Sequence, residues 1–520
     1  MHADISRVTF RPDRNYSAVI AQQGRVQLDA DANEQAAIQL HQARTIAADL
    51  IGQHGGPRGA TGFKIGFEGR GQELDELIIG PGRYYVDGIL LDATRPHPGT
   101  PVAEDGHAAA EGDTPAAPAT PAPPATPATW TYWNQPDGHR DPERRGDRLP
   151  AQFPYLAYLK VWERSVTAAE DPLLREVALG SAMPDTAARL KVVWQVLPLP
   201  GAQLEVADQE DKGQIRAAFA RWAAAQAPTS RMAARSERPD HADEDPCLVT
   251  PDARYRGPEN QLYRVEIHEG GTAENATYKW SRENGSVTFP VDGLDGTWVE
   301  LASLGGDDKL AVNVGDWVEF GDTASVSRGE PLPLLRVEEV DLPGRRVRLS
   351  AEPGPSVGRR PELHPFLRRW DHRPASGRPH KGAPKPRGGA LRIEEGRWLP
   401  LEDGVEVYFE PGRTYRCGDY WTVAARTATG DVEWPRDAAR RPLLMSPSGI
   451  TVHHAPLAWV FGEGSVSDLR LTFGPLAGPV PAANEEELAA EAAAEAEAMA
   501  AERAAAAGSP GPDAPGRSEN

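Results

Sequence analysis

The chain has 520 residues, of which 51 are Gly and 49 are Pro, and its formal net charge is −20. A chain of this length has room for two to four domains, and its Gly and Pro content favours many turns and short strands over a helical protein. The negative charge argues against a general affinity for nucleic acid or anionic membranes. No stretch approaches eighteen apolar residues, so no helix is predicted to insert into a membrane.

The first residues, MHADISRVTFRPDRNY, lack a basic segment followed by an apolar run, so no signal peptide is predicted. The two cysteines, Cys247 and Cys417, are far apart and can form neither a disulfide framework nor a zinc site on their own. We therefore expect a cytoplasmic protein with reduced thiols. If it acts outside the cell, we expect release by lysis within an assembled particle.

Residues 1–60 are predicted to form an ordered arm followed by one helix. Asp29 or Asp31 is expected to cap this helix, with Glu34 completing a capping box. From residue 33 to 51 the apolar residues recur at helical spacing, and the Gly-rich residues 52–59 are expected to end the helix. The predicted apolar stripe consists of Ala36, Ala37, Leu40, Ala43, Ala47, Leu50 and Ile51.

The next predicted domain is rich in strands and comprises residues 61–98 and 130–226. It is interrupted at 99–129 by an Ala/Pro/Thr segment, which has too few large apolar side chains to order itself and is predicted to be flexible. A helix is expected at 209–226, with Ile215, Phe219 and Trp222 along one stripe. The polar run at 227–246 is interpreted as a domain boundary.

Residues 247–352 are predicted to form a sandwich or barrel-like domain, because short apolar strands follow one another closely. A basic, Pro-rich interruption is expected at 353–389, and a C-terminal β-rich domain at 390–475. The Ala/Glu-rich residues 476–520 lack an apolar face, so a solvated helix and a disordered end are predicted. The predicted fold class is mainly β.

Several polar groups have both a functional and a structural interpretation. Asp29, Asp31 and Glu34 offer oxygen ligands for Ca²⁺, but helix capping explains the same acids and is favoured. His453 and His454 are neighbours on a predicted strand, so they should point to opposite faces and are poorly placed to hold one metal ion.

The segment YKWSRENGS resembles a polar site for a sugar or a carboxylate, through Lys279, Arg282, Glu283 and Asn284. It also contains Asn-Gly, the dipeptide typical of a hairpin turn with two positive φ angles. The hairpin is the favoured interpretation, with Arg282 and Glu283 as an ion pair.

No catalytic, cofactor or metal motif has the required spacing. The acids offer many pairs but none that stands out for glycoside hydrolysis, and Walker, G-x-G-x-x-G, H-E-x-x-H and G-x-S-x-G motifs are absent from the sequence. The thirteen tryptophans would form a carbohydrate platform if they were exposed in a row, but their strand-like setting favours core or interface positions. We expect no enzyme activity, no cofactor and no metal.

Six blocks of the chain are similar to a bacterial family of unknown function whose members occur in gene clusters for phage-tail-like contractile injection systems. They are SRVTFRPDRNYSAVIAQQGRVQLDADANEQ (6–35), PGRYYVDGIL (81–90), LREVALG (174–180), ENQLYRVEIHEGG (259–271), YKWSRENGSV (278–287) and GDYWTVAARTATGDVEWP (418–435). The sequence departs from the pattern at Ala32, where tryptophan is expected. The resemblance implies participation in a tail-like particle and carries no family active site.

The sequence therefore predicts a structural or accessory component of such a particle, near the baseplate or on its outer surface. Expected partners are baseplate, sheath or tube proteins, with the chain oligomeric in the assembly. The alternative is a tail-fibre or spike-like module that binds or cleaves cell-surface glycans. Two stretches are the candidate protein contacts, since an arm can add a strand to a neighbour and aromatic side chains anchor interfaces. Their residues are Gln22, Gln23, Arg25, Asp29, Asp31, Asn33, Tyr420, Trp421 and Trp434.

Overall fold

The computed structural model describes residues 2–69, 75–95, 129–180, 183–237, 255–305, 309–355, 357–372, 384–462, 464–477, 493–494, 496–497 and 499–500. The chain divides into two compact units, Met1–Thr472 and Phe473–Asn520. In the second unit, the described positions from 493 to 500 are helical and exposed, as predicted for a solvated Ala/Glu helix. The Ala/Pro/Thr insert, apart from residue 129, lies outside the described residues.

The protein is mainly β, as predicted, with 37% of residues in strands and 16% in helices. The helices are α1 (Asp29–Ile51), α2 (Lys212–Ala225) and α3 (Thr323–Arg328). Among the described residues, no helix is both long and apolar enough to cross a membrane.

The strands follow in chain order, and most are short. They are β1 (His54–Pro57), β2 (Ile65–Glu68), β3 (Glu76–Ile79), β4 (Arg83–Val86), β5 (Ile89–Asp92), β6 (Trp130–Thr131), β7 (Tyr155–Val166), β8 (Arg189–Pro200), β9 (Met232–Ser236), β10 (Gln261–Glu269), β11 (Gly271–Thr272), β12 (Thr277–Ser281), β13 (Thr288–Asp295), β14 (Trp298–Leu301), β15 (Trp317–Gly321), β16 (Leu334–Asp341), β17 (Arg346–Leu349), β18 (Phe366–Trp370), β19 (Pro386–Arg387), β20 (Ala390–Arg392), β21 (Trp398–Pro400), β22 (Val405–Phe409), β23 (Thr414–Tyr415), β24 (Tyr420–Arg426), β25 (Asp431–Glu433), β26 (Val452–Gly462), β27 (Ser465–Asp468) and β28 (Thr472–Phe473).

One sheet joins strands that are distant in sequence. Its order is β27-β26-β7-β8, and β7 pairs with β8 along its whole length, from Tyr155 with Pro200 to Val166 with Arg189. β26 pairs with the other edge of β7. A second long-range sheet has the order β21-β22-β9, and β9 lies within the polar run 227–246. The first predicted β-rich domain, which contains β7 and β8, therefore shares a sheet with the predicted C-terminal domain, which contains β26.

Helix α2 follows the sequence prediction. The carboxylate of Asp211 accepts hydrogen bonds from the backbone N–H groups of residues 213 and 214, which caps the first turn. Ile215 and Phe219 are buried, and the ring of Trp222 packs edge-on against Tyr158. The helix is thus held to the β7 sheet by the predicted apolar stripe.

The sandwich or barrel-like domain predicted at 247–352 contains a closed barrel, in the strand order β13-β14-β17-β16-β15-β18, whereas β10 and β12 of the same range belong to another sheet. The last strand of the barrel, β18, lies inside the segment that was predicted to be a basic interruption, so that prediction is wrong for residues 366–370. The basic side chains of Arg368 and Arg369 are buried there. Arg369 donates to the carbonyl oxygens of Lys309 and Ala311, which lets a strand with two arginines sit inside the fold.

A six-stranded sheet, β19-β20-β12-β10-β24-β25, lies against the barrel. Asn284 and Gly285 have positive φ angles of 51° and 66°, as predicted, but the turn does not form a hairpin. β12 pairs with β10 and β20, whereas β13 pairs with β14 and β18. The turn instead leads from the sheet into the barrel.

The predicted ion pair within this turn is also wrong. Arg282 donates to the two carboxylate oxygens of Glu402 through Nε and Nη2, each at 2.5 Å, and Glu283 pairs with Lys309 at 2.6 Å. Neighbouring side chains at the turn point toward different elements, so each finds a partner far away in sequence.

Candidate protein interface

His2 and Ala3, the first residues that the structure describes, are fixed inside the fold. Nε2 of His2 lies 2.9 Å from Oε2 of Glu266 on β10, and the backbone N–H of His2 donates to Oγ of Ser165 at 2.8 Å. Asn284 donates to the carbonyl oxygen of Ala3 at 2.9 Å, and the His2 ring meets Trp370 edge-on. The first residues of the arm are therefore part of the folded body.

His2 enters a cluster of buried charges between the six-stranded sheet and the barrel. Glu266 accepts a hydrogen bond from Nε of Arg264 at 2.6 Å and lies 3.2 Å from Nζ of Lys279. Lys279 also pairs with Glu319, which accepts from the indole N–H of Trp370 at 3.0 Å. Each charge in the cluster thus faces an opposite charge, as buried ions require.

The pKa values in the cluster keep these charges in place. Burial would raise the pKa of Glu266, but Arg264 and Lys279 outweigh that effect and hold it well below its usual value. Burial would lower the pKa of Lys279, but Glu319 and Glu266 raise it. Burial, with Arg264 beside it, lowers the pKa of His2, so this imidazole stays neutral. The cluster is consequently an anchor for the amino terminus.

Between this anchor and α1, the arm follows the helix and turns back. The backbone N–H of Ser6 donates to Asp29 at 2.8 Å, and Thr9 donates to Glu34 at 2.6 Å. The ring of Phe10 packs against His41, and the N–H of Val19 returns to bond with Gln35 at 2.7 Å. The arm therefore covers one side of α1.

The middle of the arm is ordered by these contacts and yet exposed. All of residues 11–29 are exposed except Val19, which is half-buried. Ile20 is 82% exposed and Val26 is 84% exposed, and Tyr16 is also exposed. These exposed apolar side chains lie on a segment that is held at both ends, which makes the segment a candidate protein contact.

The candidate residues of the first stretch lie on this surface. Gln22, Gln23, Arg25, Asp29 and Asn33 are exposed, and Asp31 is half-buried. The backbone N–H of Arg25 donates to the carbonyl oxygen of Gln22, which makes a tight turn.

The cap of α1 differs from the prediction. The helix begins at Asp29, and Asp31 accepts from the backbone N–H of Leu28 at 3.4 Å. Glu34 binds Thr9 of the arm, so its predicted role in a capping box is wrong. The acids at the start of α1 mainly hold the arm.

Four of the seven residues of the apolar stripe predicted for α1 are exposed, whereas Ala37, Ala47 and Ile51 are half-buried. Only Ala30 and Ile38 of its 23 residues are buried. Leu40 is 40% exposed and Leu50 is 60% exposed, and Ile46 beside them is also 60% exposed. The body contacts the helix beside this stripe, where Arg44 binds Glu163 with two hydrogen bonds of 2.8 and 2.6 Å.

The second candidate stretch, which carries Tyr420, Trp421 and Trp434, lies mostly inside the fold. Trp421 is completely buried in β24 and its indole N–H donates to the carbonyl oxygen of Met445 at 2.9 Å. Tyr420 is buried, with the Arg264 guanidinium 3.5 Å from its ring centroid. Trp434 is half-buried and donates to the carbonyl oxygen of Leu443. Tyr420 and Trp421 are therefore corrected from candidate contacts to core positions in β24, whereas the half-buried Trp434, which follows β25, stays a candidate contact.

Other proposed ligand groups are occupied within the fold. His453 lies 2.7 Å from a carboxylate oxygen of Asp87, whereas His454 packs against Tyr158 and Trp222, so the two rings point to different surroundings. None of the thirteen tryptophans is exposed. Among the described residues, no group of His, Cys, Asp and Glu side chains is arranged to hold a metal ion.

Comparison with known proteins assigns the chain to a family. Residues 1–108 and 209–514 match the model of a family of unknown function (DUF6519). The chain belongs to this family. No curated protein and no solved structure matches it.

Both candidate stretches fall within the match, whereas the hairpin of β7 and β8 and the block LREVALG fall between its two parts. The arm and α1 are thus features within the family match, and the exposed loop at the end of that hairpin is not.

Sequence reasoning missed the anchor around His2. In QLYRVEIHE the apolar residues Tyr263, Val265 and Ile267 alternate with Arg264, Glu266 and His268, which is typical of a strand with one solvated face. The barrel covers that face. The signal available in the sequence was a further charge on each of two predicted strands, Lys279 on β12 beside β10 and Glu319 on β15 of the barrel.

Proposed function

We propose that this protein is a structural or accessory component of a phage-tail-like contractile injection particle, and that its N-terminal arm is the contact with neighbouring proteins near the baseplate or on the outer surface. The sequence resemblance to a family from such gene clusters supports the proposal that the protein is part of such a particle. The exposed apolar residues of the anchored arm, led by Ile20 and Val26, support the contact.

The arm suits the addition of a strand to a partner. Between residues 16 and 28, its described backbone N–H groups make three hydrogen bonds, from Val19 to Gln35, from Arg25 to Gln22 and from Leu28 to Asp31. The other backbone N–H and C=O groups of this segment can pair with an edge strand of a partner's sheet. Ile20 and Val26 can then enter apolar pockets beside that strand. Because Phe10 and Gln35 hold it against α1, the arm loses little conformational entropy when it binds.

The test is purification of the tagged chain from its native cell, followed by mass spectrometry and negative-stain imaging. The wild-type chain should co-purify with sheath, tube and baseplate proteins. The double variant Ile20→Asp/Val26→Asp should lose them, since it places two charges in the contact but leaves His2, Asp29 and the helix unchanged.

A matched control is Leu173→Asp. Leu173 is as exposed as Ile20 but lies in the hairpin loop outside the family match. This variant should retain the partners. A wild-type chain that purifies without any tail protein would sink the proposal, as would an arm variant that keeps the full set.

The glycan-binding alternative receives no support from the described residues. A carbohydrate platform needs aromatic faces open to solvent, and each of the thirteen tryptophans is buried or half-buried.

A further inference from the structure

Arg368 on β18 is a buried cation without a counter-ion. Its residue is 8% exposed, and its guanidinium makes no hydrogen bond and no ion pair within the part of the chain that the structure describes. Glu319 lies directly opposite on β15, but it is engaged by Lys279 and by the indole N–H of Trp370. Because a guanidinium stays protonated in a protein, the charge of Arg368 has to be balanced by another group.

A second unsatisfied donor belongs to Arg164 on β7. Nη1 of Arg164 donates to Glu170 at 2.6 Å, whereas its Nε is buried without a partner, as is Nε of Arg368. Burial lowers the pKa of Arg368, and the charges of Glu319 and Glu170 oppose this effect, so Glu170 lies near both guanidinium groups. Two buried N–H donors therefore border one region between β7 and the barrel.

The charges buried among the described residues of this region do not balance. Burial lowers the pKa of His2 and of His268, so both imidazoles are neutral. Asp419 lies nearby but has its own cation, Arg416, at 2.6 Å. The remaining charges are four cations and three carboxylates, each at most 8% exposed, namely Arg164, Arg264, Lys279, Arg368, Glu170, Glu266 and Glu319. One positive charge is left over, and an uncompensated buried ion strongly destabilises a fold.

We infer that a small halide ion such as chloride binds beside Arg368 and Arg164 and accepts hydrogen bonds from their two Nε–H groups. A halide only accepts hydrogen bonds, so it suits a region whose unsatisfied groups are donors. It also neutralises the surplus charge, which a water molecule cannot do. The small exposed fraction of Arg368 leaves a route for the ion from solvent.

Binding is measured by the line width of the chloride magnetic resonance signal in a solution of the purified full chain. The wild-type chain should broaden the signal, and the excess width should fall when bromide is added as a competitor. Arg368→Met should lose most of this excess. Arg336→Met is the matched control, because it removes an exposed arginine from β16 of the same barrel and should keep the excess.

The effect on the fold is measured by the melting temperature when gluconate replaces chloride at constant ionic strength. The wild-type chain and Arg336→Met should melt at a higher temperature in chloride, since a ligand that binds only the folded state stabilises it. Arg368→Met should melt at the same temperature in both salts. In gluconate it should melt no lower than the wild type, because it removes the unbalanced charge.

A wild-type chain that neither broadens the signal nor responds to chloride would overturn the inference and would mean that water alone solvates Arg368. Full broadening by a folded Arg368→Met would also overturn it, since the ion would then bind elsewhere. If Arg368→Met does not fold, Arg368→Lys serves instead: it keeps the charge, removes Nε and should reduce the broadening. Since the purified chain contains no tail protein, the result is independent of whether the chain belongs to a contractile particle.

Discussion

The imidazole of His2 lies 2.9 Å from the carboxylate of Glu266, which is 264 residues further along the chain. This contact fixes one end of the arm between the six-stranded sheet and the barrel, while α1 fixes the other. Residues 11–28 are presented between two anchored points. Such a segment is already restricted before it binds, which lowers the entropic cost of association.

The buried ion pairs should matter for folding. We expect Lys279→Met to lower the free energy of unfolding by about 3–5 kcal/mol, because it removes the cation that faces the buried Glu266 and Glu319. Urea unfolding followed by tryptophan fluorescence measures this difference.

A matched control is Glu433→Gln, which breaks the surface pairs of Glu433 with Arg7 and Arg426. Since the side chain of Glu433 is substantially exposed, a change of only about 0–1 kcal/mol is expected. Equal losses in the two variants would contradict the role of the cluster.

Stability should fall as the pH falls from about 6.5 to about 4. Burial lowers the pKa of His268 and of His372 to about 4, whereas histidine in the unfolded chain titrates near 6.5. In this window the unfolded chain binds protons that the folded chain does not, so protonation favours unfolding.

Protonation of Asp419 has the opposite effect on the free energy of unfolding over the same pH range. Burial raises the pKa of its carboxyl from 3.8 to about 6, so the folded chain binds a proton there first and offsets part of the loss. The free energy of urea unfolding at a series of pH values measures the net effect. A stability that is constant or rises toward pH 4 would show that the buried histidines do not dominate.

The turn at Gly88 should control how α1 sits on the body. Gly88 has a φ of +77°, and a Cβ placed there would lie 2.1 Å from the carbonyl oxygen of Arg44. Gly88→Ala should therefore push the helix away and lower the melting temperature. Gly24→Ala has a similar φ of +71° but meets nothing within 4 Å, so it should cost only about 1 kcal/mol of backbone strain. Equal effects of the two variants would argue against the close approach.

Trp421 should behave as a core residue. Trp421→Ala removes a fully buried side chain and should lower the free energy of unfolding by about 3–5 kcal/mol. Ile20→Asp should leave it within about 0.5 kcal/mol, as expected of an exposed position. Thermal or urea unfolding of both variants makes the comparison. An unchanged stability for Trp421→Ala would restore this tryptophan as a candidate contact.

Local signals in the sequence predicted several elements correctly. Helix α2 follows from an apolar stripe that includes Ile215 and Phe219. The positive φ angles at Asn284 and Gly285 follow from the residue types. Such features depend on neighbours within a few positions, so one sequence suffices to predict them.

Features that depend on distant partners were mistaken. The apolar stripe of α1 was recognised, but its spacing does not say which side meets the body. β18 was missed because its buried arginines resemble those of a solvated segment. Trp421 was assigned to the surface because the covering of β24 on both faces comes from strands and loops remote in sequence.

The most direct test of the proposed contact is hydrogen exchange of the backbone amides in residues 16–28. It compares the isolated chain with the chain in complexes purified from its native cell. The account predicts fast exchange in the isolated chain and strong protection in the complexes, with little change in the buried strand β10. Equal, fast exchange of these amides in both samples would contradict the claim that the arm is the site of assembly.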